Sequence, residues 1–430
     1  MTQSLPLKVR SNIFTLSLIT FLILSLSAYV QAQVIGIDVL GDKDKVEIPF
    51  TFEHDYIILK VKIDDKINLR FMFDTGAEHT ILFEKVIGDL LGLHYDDRVK
   101  VLGSDLTQEV GALISRNVPV KLQNTVGVSR DLLILEKNYL KLAELTGINI
   151  DGIIGGGFFR NLAVNINYKK KKLILYQPDK FAIDRKEYET VDLVMEQQKP
   201  YIYSNVVNQD GDTVRLKLLI DTGAALAFLL NTDSHDKVRL PDQIIKGTLG
   251  VGIGGVIEGF MGKTSYMSLG NLSFQNIITN FQKVDSLILD QVDFKRNGLV
   301  GNTLLSRFDV YIDYLRGKLY LKPLKNYNKA FEYDKSGMFL LVFGNGLDQF
   351  LVNYVVKGSP ADLAGIKKGD IVKKFGCWNT KFYTLEKLTR KLAGKEGKTI
   401  KLKLERGENQ FKVKFKLKDM LANERKSNTL

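Results

Sequence analysis

Two aspartates stand in the same tetrapeptide, Asp-Thr-Gly-Ala, once as Asp74-Thr75-Gly76-Ala77 and again as Asp221-Thr222-Gly223-Ala224. Each copy follows an apolar triplet, Phe71-Met72-Phe73 and Leu218-Leu219-Ile220. Two carboxyl groups about 3 Å apart cannot both ionise, so they share a proton, and one serves as base while the other serves as acid. The chemistry that needs such a pair is hydrolysis of a peptide bond by a water held between the two groups. One Asp-Thr-Gly is a weak signal, read equally well as a strand that ends in a glycine turn. Two copies with a matching fourth residue are a strong one.

The elements around the tetrapeptides repeat as well. Tyr56-Ile57 stands 18 residues before Asp74, and Tyr201-Ile202 stands 20 before Asp221. The two extra residues fall in the turn at 208–212, longer than the turn at 64–66. Gly152-Ile153-Ile154-Gly155 lies 81 residues after Asp74, to the last glycine, and Gly298-Leu299-Val300-Gly301 lies 80 after Asp221. Similar endings follow: Val164-Asn165-Ile166-Asn167-Tyr168 against Val310-Tyr311-Ile312-Asp313-Tyr314. This is a duplication of about 146 residues, and a repeat on this scale sets the architecture.

These motifs resemble the retropepsin and pepsin clan of aspartic proteases, with both halves carried in one chain as in pepsin. The resemblance covers roughly residues 45–323. It implies a mainly β fold, a bilobal β-barrel pair with the cleft between the lobes. It also implies that Asp74 and Asp221 form the catalytic dyad. Thr75 and Thr222 would join the two loops by hydroxyl hydrogen bonds. Gly76 and Gly223 would let the backbone approach the carboxylates, which a Cβ would hinder. The apolar pairs Ile153-Ile154 and Leu299-Val300 would pack beneath each loop. A glycine-rich flap closing over substrate is found in the second half only, at Gly250-Val251-Gly252-Ile253-Gly254-Gly255. The corresponding stretch of the first half has Gly103 and Gly111 but no such run.

After residue 323 a polar linker, 325–336, leads to a compact region with its own pattern. Ser359-Pro360-Ala361, then Ala364-Gly365-Ile366, then Gly369-Asp370-Ile371 resembles the PDZ domains of bacterial proteases. Pro360 suits the first turn of a short helix, Gly365 its end, and Gly369-Asp370 the turn into a strand. A helix over 385–392 carries Leu385, Leu388 and Leu392 on one face. The resemblance implies a small α+β PDZ domain that adds an extended peptide to its sheet edge. Gly337, Met338, Phe339 and Leu340 would form the loop that meets a terminal carboxylate, and Leu388 would face the pocket. The same fold packing on the protease without a peptide is the competing reading.

The domain expectation is therefore a signal peptide at 1–32, lobe 1 at 33–185, lobe 2 at 186–324, the linker at 325–336, the PDZ domain at 337–418, and a charged, frayed tail at 419–430. Lys8 and Arg10 precede an uncharged apolar run at 13–30, and Val30-Gln31-Ala32 offers the small residues of a cleavage site. The expected location is extracytoplasmic, periplasmic or secreted, after cleavage near Ala32. A membrane anchor formed by 13–30 is the alternative.

Composition narrows the field. The chain has 430 residues, 36 glycines, eight prolines and a formal charge of +12. The one dense basic run, Lys169-Lys170-Lys171-Lys172, falls between two strand-like segments as a solvated turn, so no nucleic-acid partner is expected. Cys377 is the single cysteine, and His54, His79, His94 and His235 lack metal-ligand spacing, so neither a disulfide nor a metal site is expected. The dyad chemistry requires no cofactor. The run at 250–255 formally satisfies Gly-x-Gly-x-x-Gly, but Gly259 and Gly262 follow where a dinucleotide site needs a helix. No serine sits in the Gly-Asn-Ser-Gly setting of serine proteases that carry PDZ domains. The sequence thus points to an endopeptidase whose substrate is a peptide or unfolded protein, with a C-terminal peptide as ligand of the PDZ domain. A catalytically silent or autoinhibited peptide-binding protein is the rival.

Overall fold

A computed structural model describes residues 39–103, 109–138, 140, 142–284 and 296–422. The expected signal peptide lies outside the described residues. The strands of the first half are β1 (Lys45–Pro49), β2 (Thr51–Glu53), β3 (Tyr56–Ile63), β4 (Ile67–Asp74), β5 (Thr80–Leu82) and β6 (Asp97–Leu102). They continue with β7 (Glu109–Leu122), β8 (Val128–Leu135), β9 (Gly152–Gly155), β10 (Ala163–Asn167) and β11 (Lys172–Tyr176). The second half begins with β12 (Glu189–Asp192), β13 (Val194–Glu196), β14 (Lys199–Val207), β15 (Thr213–Asp221) and β16 (Phe228–Asn231). It goes on through β17 (Ile245–Gly252), β18 (Gly255–Leu269), β19 (Leu272–Gln282), β20 (Gly298–Gly301), β21 (Phe308–Asp313) and β22 (Lys318–Pro323).

The duplication is visible in the hydrogen bonding. The first lobe is an eight-stranded sheet in the order β2-β3-β4-β9-β5-β8-β7-β6, closed by β3 on β7. The second repeats it strand for strand as β13-β14-β15-β20-β16-β19-β18-β17, closed by β14 on β18. A six-stranded sheet, β1-β11-β10-β21-β22-β12, joins the halves through the antiparallel pair β10 and β21. Aromatic and β-branched residues fill these strands because they pack well on a pleated surface. Ile57, Leu59, Phe71 and Phe73 of lobe 1 and Ile202, Leu218 and Ile220 of lobe 2 are fully buried in one continuous core with the connecting sheet.

The third region folds around a separate core that includes Met338, Val342, Phe350, Leu388 and Leu402. Its strands are β23 (Met338–Phe343), β24 (Gln349–Val355), β25 (Ile371–Phe375), β26 (Trp378–Asn379), β27 (Thr399–Arg406) and β28 (Asn409–Lys416). They run in the order β23-β24-β25-β27-β28, with β26 on β25. Pro360 opens the helix Pro360–Leu363, whose cap Ser359 accepts from the Asp362 N–H. Gly365 and Gly369 take φ of 79° and 95°, the left-handed region that glycine adopts freely. Asp370 is fully buried and forms a two-pronged ion pair with Arg406, at 2.6 and 2.8 Å. The expected fraying of the tail does not extend to its start. Leu421 is buried with Ile245 and Tyr333, and Asp419 accepts from Lys263, because the apolar pair Met420-Leu421 interrupts the charged run.

Candidate active site

Strand β4 runs parallel to β9, and β15 runs parallel to β20, each pairing ending with the aspartate opposite a glycine: Asp74 with Gly155 and Asp221 with Gly301. This explains the glycines that flank each apolar pair. A Cβ on Gly155 would stand 2.5 Å from the His79 carbonyl oxygen, and one on Gly301 would stand 2.2 Å from that of Leu226. Only a bare Cα lets the strand thread past the loop that carries the carboxylate.

Thr75 and Thr222 tie the loops together and are wholly enclosed. The Thr75 N–H donates to Thr222 Oγ1 at 3.0 Å, and the Thr222 N–H donates to Thr75 Oγ1 at 3.0 Å. Each hydroxyl then donates across the axis, Thr75 to the Ile220 carbonyl at 2.6 Å and Thr222 to that of Phe73 at 2.9 Å. The result is four hydrogen bonds related by a pseudo-twofold axis.

The carboxyl groups of Asp74 and Asp221 lie beside each other at this axis. Asp74 Oδ1 accepts from the N–H groups of Gly76 at 2.7 Å and Ala77 at 3.1 Å, and Asp221 Oδ1 accepts from Gly223 at 2.8 Å. Each carboxyl group lies over the other lobe's glycine. A Cβ on Gly76 would stand 2.7 Å from Asp221 Cγ, and one on Gly223 would stand 2.3 Å from Asp74 Cγ. Gly223→Ala is accordingly expected to displace Asp74 and to lower any reaction that depends on the pair by about a hundredfold or more while the protein stays folded, since a misplacement of 1 Å can cost that much. Activity assays alongside circular dichroism check this, and near-normal turnover contradicts it.

The two acids are not equivalent. Burial raises Asp74 well above the ordinary carboxylate range, and the neighbouring Asp221 raises it further. Burial also raises Asp221, but the positive charge of Arg296 opposes the rise. Burial and mutual repulsion thus favour one proton shared by the pair over two ionised carboxylates. Arg296 carries no sequence signature. Its counterpart by the duplication is Ile150, so the two lobes differ in charge beside their respective acids.

The glycine run of the second half forms the hairpin between β17 and β18, with Gly254 and Gly255 at φ of 116° and 124°. Gly252 and Ile253 complete its end. Ile253 is only 7% exposed and packs into a lobe 1 cluster with Tyr56, Met72, Leu142, Ile148 and Ile153. The hairpin of lobe 2 thus reaches across to lobe 1. The equivalent lobe 1 hairpin, β6 and β7, is joined by residues 104–108, outside the described set.

Other cross-lobe contacts gave no signal in the motifs. Tyr168 of lobe 1 hydrogen-bonds Asn302, whose amide donates to the Asp55 carbonyl at 2.6 Å, while Thr303 donates to the Asp55 carboxylate at 2.6 Å. The position matching Asn302 in the first half is Gly156, and the Tyr314 hydroxyl beside it has no partner among the described residues. In the third region, the Gly337 and Met338 N–H groups bond within their own loop. Phe339 faces β17 rather than a groove, and Leu340 and Leu388 lie in the domain core.

A model of the aspartyl protease family matches residues 59–158, and a model of the PDZ domain matches residues 351–406. A probable CtpA-like serine protease of Staphylococcus haemolyticus (strain JCSC1435) is 33% identical over 98 residues, which is 21% of this chain and 19% of that protein. Its namesake from Staphylococcus aureus (strain COL) is 31% identical over 111 residues, 25% of this chain and 21% of that protein. The chain spans about a fifth of the length of these curated relatives. Among solved structures, the aspartic proteinase from Irpex lacteus aligns with a TM-score of 0.41 and 11% identity, covering 66% of this chain and 99% of that one. The chain is mainly β, two sheets of matching topology followed by a smaller domain, and is similar to the aspartyl protease family over residues 59–158 and to the PDZ domain over residues 351–406.

Proposed function

We propose that the protein is an aspartic endopeptidase in which Asp221 is the base and Asp74 the acid. The observation that carries this reading is the meeting of two carboxyl groups at the axis of two matched, mutually hydrogen-bonded loops. A water held by the pair loses a proton to Asp221 as it attacks the scissile carbonyl. Asp74 donates its proton to the developing oxyanion, and the proton taken by Asp221 passes on to the leaving amine. The hairpin of β17 and β18 covers the substrate, which binds as an extended strand and is a peptide or an unfolded protein. The serine protease name of the curated relatives describes whole proteins of which about a fifth is matched here.

A peptide analogue with a tetrahedral hydroxyl at the scissile position tests this reading. It is expected to bind at least about a hundredfold more tightly than the plain peptide, because only the transition state is tetrahedral. Equal affinities favour a silent peptide-binding protein. We further propose export, with cleavage near Ala32, which N-terminal sequencing of the mature protein checks. Retention of residues 13–30 supports the anchored alternative.

A further inference from the structure

Strand β23 is the outer strand of the PDZ sheet. An extended peptide would add to that edge, and its terminal carboxylate would meet the N–H groups of the loop before it. Those groups are already engaged. Asp334 Oδ1 accepts from the Ser336 N–H at 2.7 Å, the Gly337 N–H at 3.1 Å and the Ser336 hydroxyl at 2.6 Å. The Met338 N–H donates to Ser336 Oγ at 3.1 Å. Lys335 fastens this loop to the end of the helix Leu385–Leu392. Its N–H donates to the Leu392 carbonyl at 3.0 Å and its ammonium to that of Ala393 at 3.1 Å. The loop therefore holds a carboxylate of its own chain.

The far end of the groove is filled as well. The lobe 1 helix Leu142–Thr146 packs along β23. Gly147, which follows it, sits between Leu385 and Val342, so close that a Cβ there would touch both at 3.6 and 3.8 Å. On the other side, the Phe339 ring covers Gly247 of β17, where a Cβ would stand 2.8 Å from it. At the base of the same hairpin, Ile245 and Met261 cluster with Tyr333, Val356 and Leu421. The contacts form a ring: the lobe 1 helix holds the PDZ strand, that strand holds the lobe 2 hairpin, and Ile253 at the hairpin's end returns to the cluster containing Leu142.

We propose that the PDZ domain is a clamp that keeps the β17–β18 hairpin closed over the dyad. Its release is triggered by a peptide with a free α-carboxylate and an apolar last residue, which displaces Asp334 and the helix Leu142–Thr146. The inference rests on the reading of the cleft as a peptidase site. Cleavage of a protein chain creates new terminal carboxylates, so product fragments ending in an apolar residue belong to the class that opens the clamp.

The probe is a labelled pentapeptide ending in leucine, as free acid and as amide, offered to the full chain bearing Asp74→Asn so that it is not cut. The free acid is expected to bind and to speed hydrogen exchange at both 142–148 and 245–252, and the amide to do neither. Gly247→Ala pushes the Phe339 ring away without changing any residue of the PDZ domain. It is expected to tighten free-acid binding about tenfold, because the competent state no longer has to be drawn from a minor population. Phe339→Ala relieves the same contact from the other side and is expected to act likewise. Equal binding of acid and amide, unchanged exchange at saturating peptide, or unchanged affinity in both variants overturns the clamp. Turnover of unfolded protein by the chain with Asp74 intact is read in parallel. Exchange that responds without any hydrolysis supports the clamp and refutes the peptidase reading. Hydrolysis with unmoved exchange refutes the clamp alone.

Discussion

If the proposed peptidase reading holds, Asp74→Asn and Asp221→Asn are each expected to lower peptide hydrolysis by about a thousandfold or more, with the fold retained, because each removes one side of the proton exchange. The same substitutions separate activity from stability. In the unfolded chain an aspartate ionises near pH 4, at about 3.9. In the folded protein burial and the charge of Asp221 make Asp74 keep its proton to higher pH. The folded state then binds more protons than the unfolded one between these two limits. The contribution of Asp74 to stability is full below the unfolded pKa and is lost as pH rises through the folded one. Asparagine has no charge to desolvate. Asp74→Asn should therefore melt higher than the parent at neutral pH, by roughly 2 °C or more, and equal it near pH 3. Calorimetry at both pH values reads this directly, and a lower melting temperature at neutral pH would falsify the assignment of the shift to burial and repulsion. In the active protein the rate should fall on the acid side as the pair takes up a second proton and on the alkaline side as it loses the shared one.

Thr75→Val or Thr222→Val is expected to destabilise the protein by about 2–5 kcal/mol, although valine fills nearly the same volume. Each hydroxyl accepts from one N–H and donates to one carbonyl of the opposite lobe. Removing it leaves both groups buried without a partner, and this desolvation dominates the loss. Peptide hydrolysis should fall as well, since the same bonds set the separation of the carboxyl groups. Urea unfolding measures the first effect. A change below about 1 kcal/mol would show that the loops are held mainly by their apolar surroundings.

Much of this arrangement is legible in the sequence because it depends on local backbone requirements. Asp-Thr-Gly fixes a turn, and the glycines at 152, 155, 298 and 301 mark where one strand passes under another. The glycine run at 250–255 marks a hairpin turn that needs positive φ at Gly254 and Gly255. The residues that escape notice act over long separations and have no periodic pattern. Asp55 meets Thr303, and Tyr168 meets Asn302, only because the chain folds back through the connecting sheet. Phe339 reads as part of a peptide-binding loop, yet it faces the hairpin, because its partner is a bare glycine that leaves room for a ring. Asp334 reads as linker, since nothing in an isolated Asp-Lys-Ser-Gly says that its carboxylate turns back into the following loop.

The antiparallel seam of β10 with β21 is nearly symmetric, and two separate copies of one half could pair along it in the same way. A homodimer built so would carry identical gates and would have to control both or neither. Covalent fusion removes that constraint. One half is free to supply the arm on which an appended module acts, while the other provides its anchorage, so a single regulatory input governs an opening that two identical subunits would have to share.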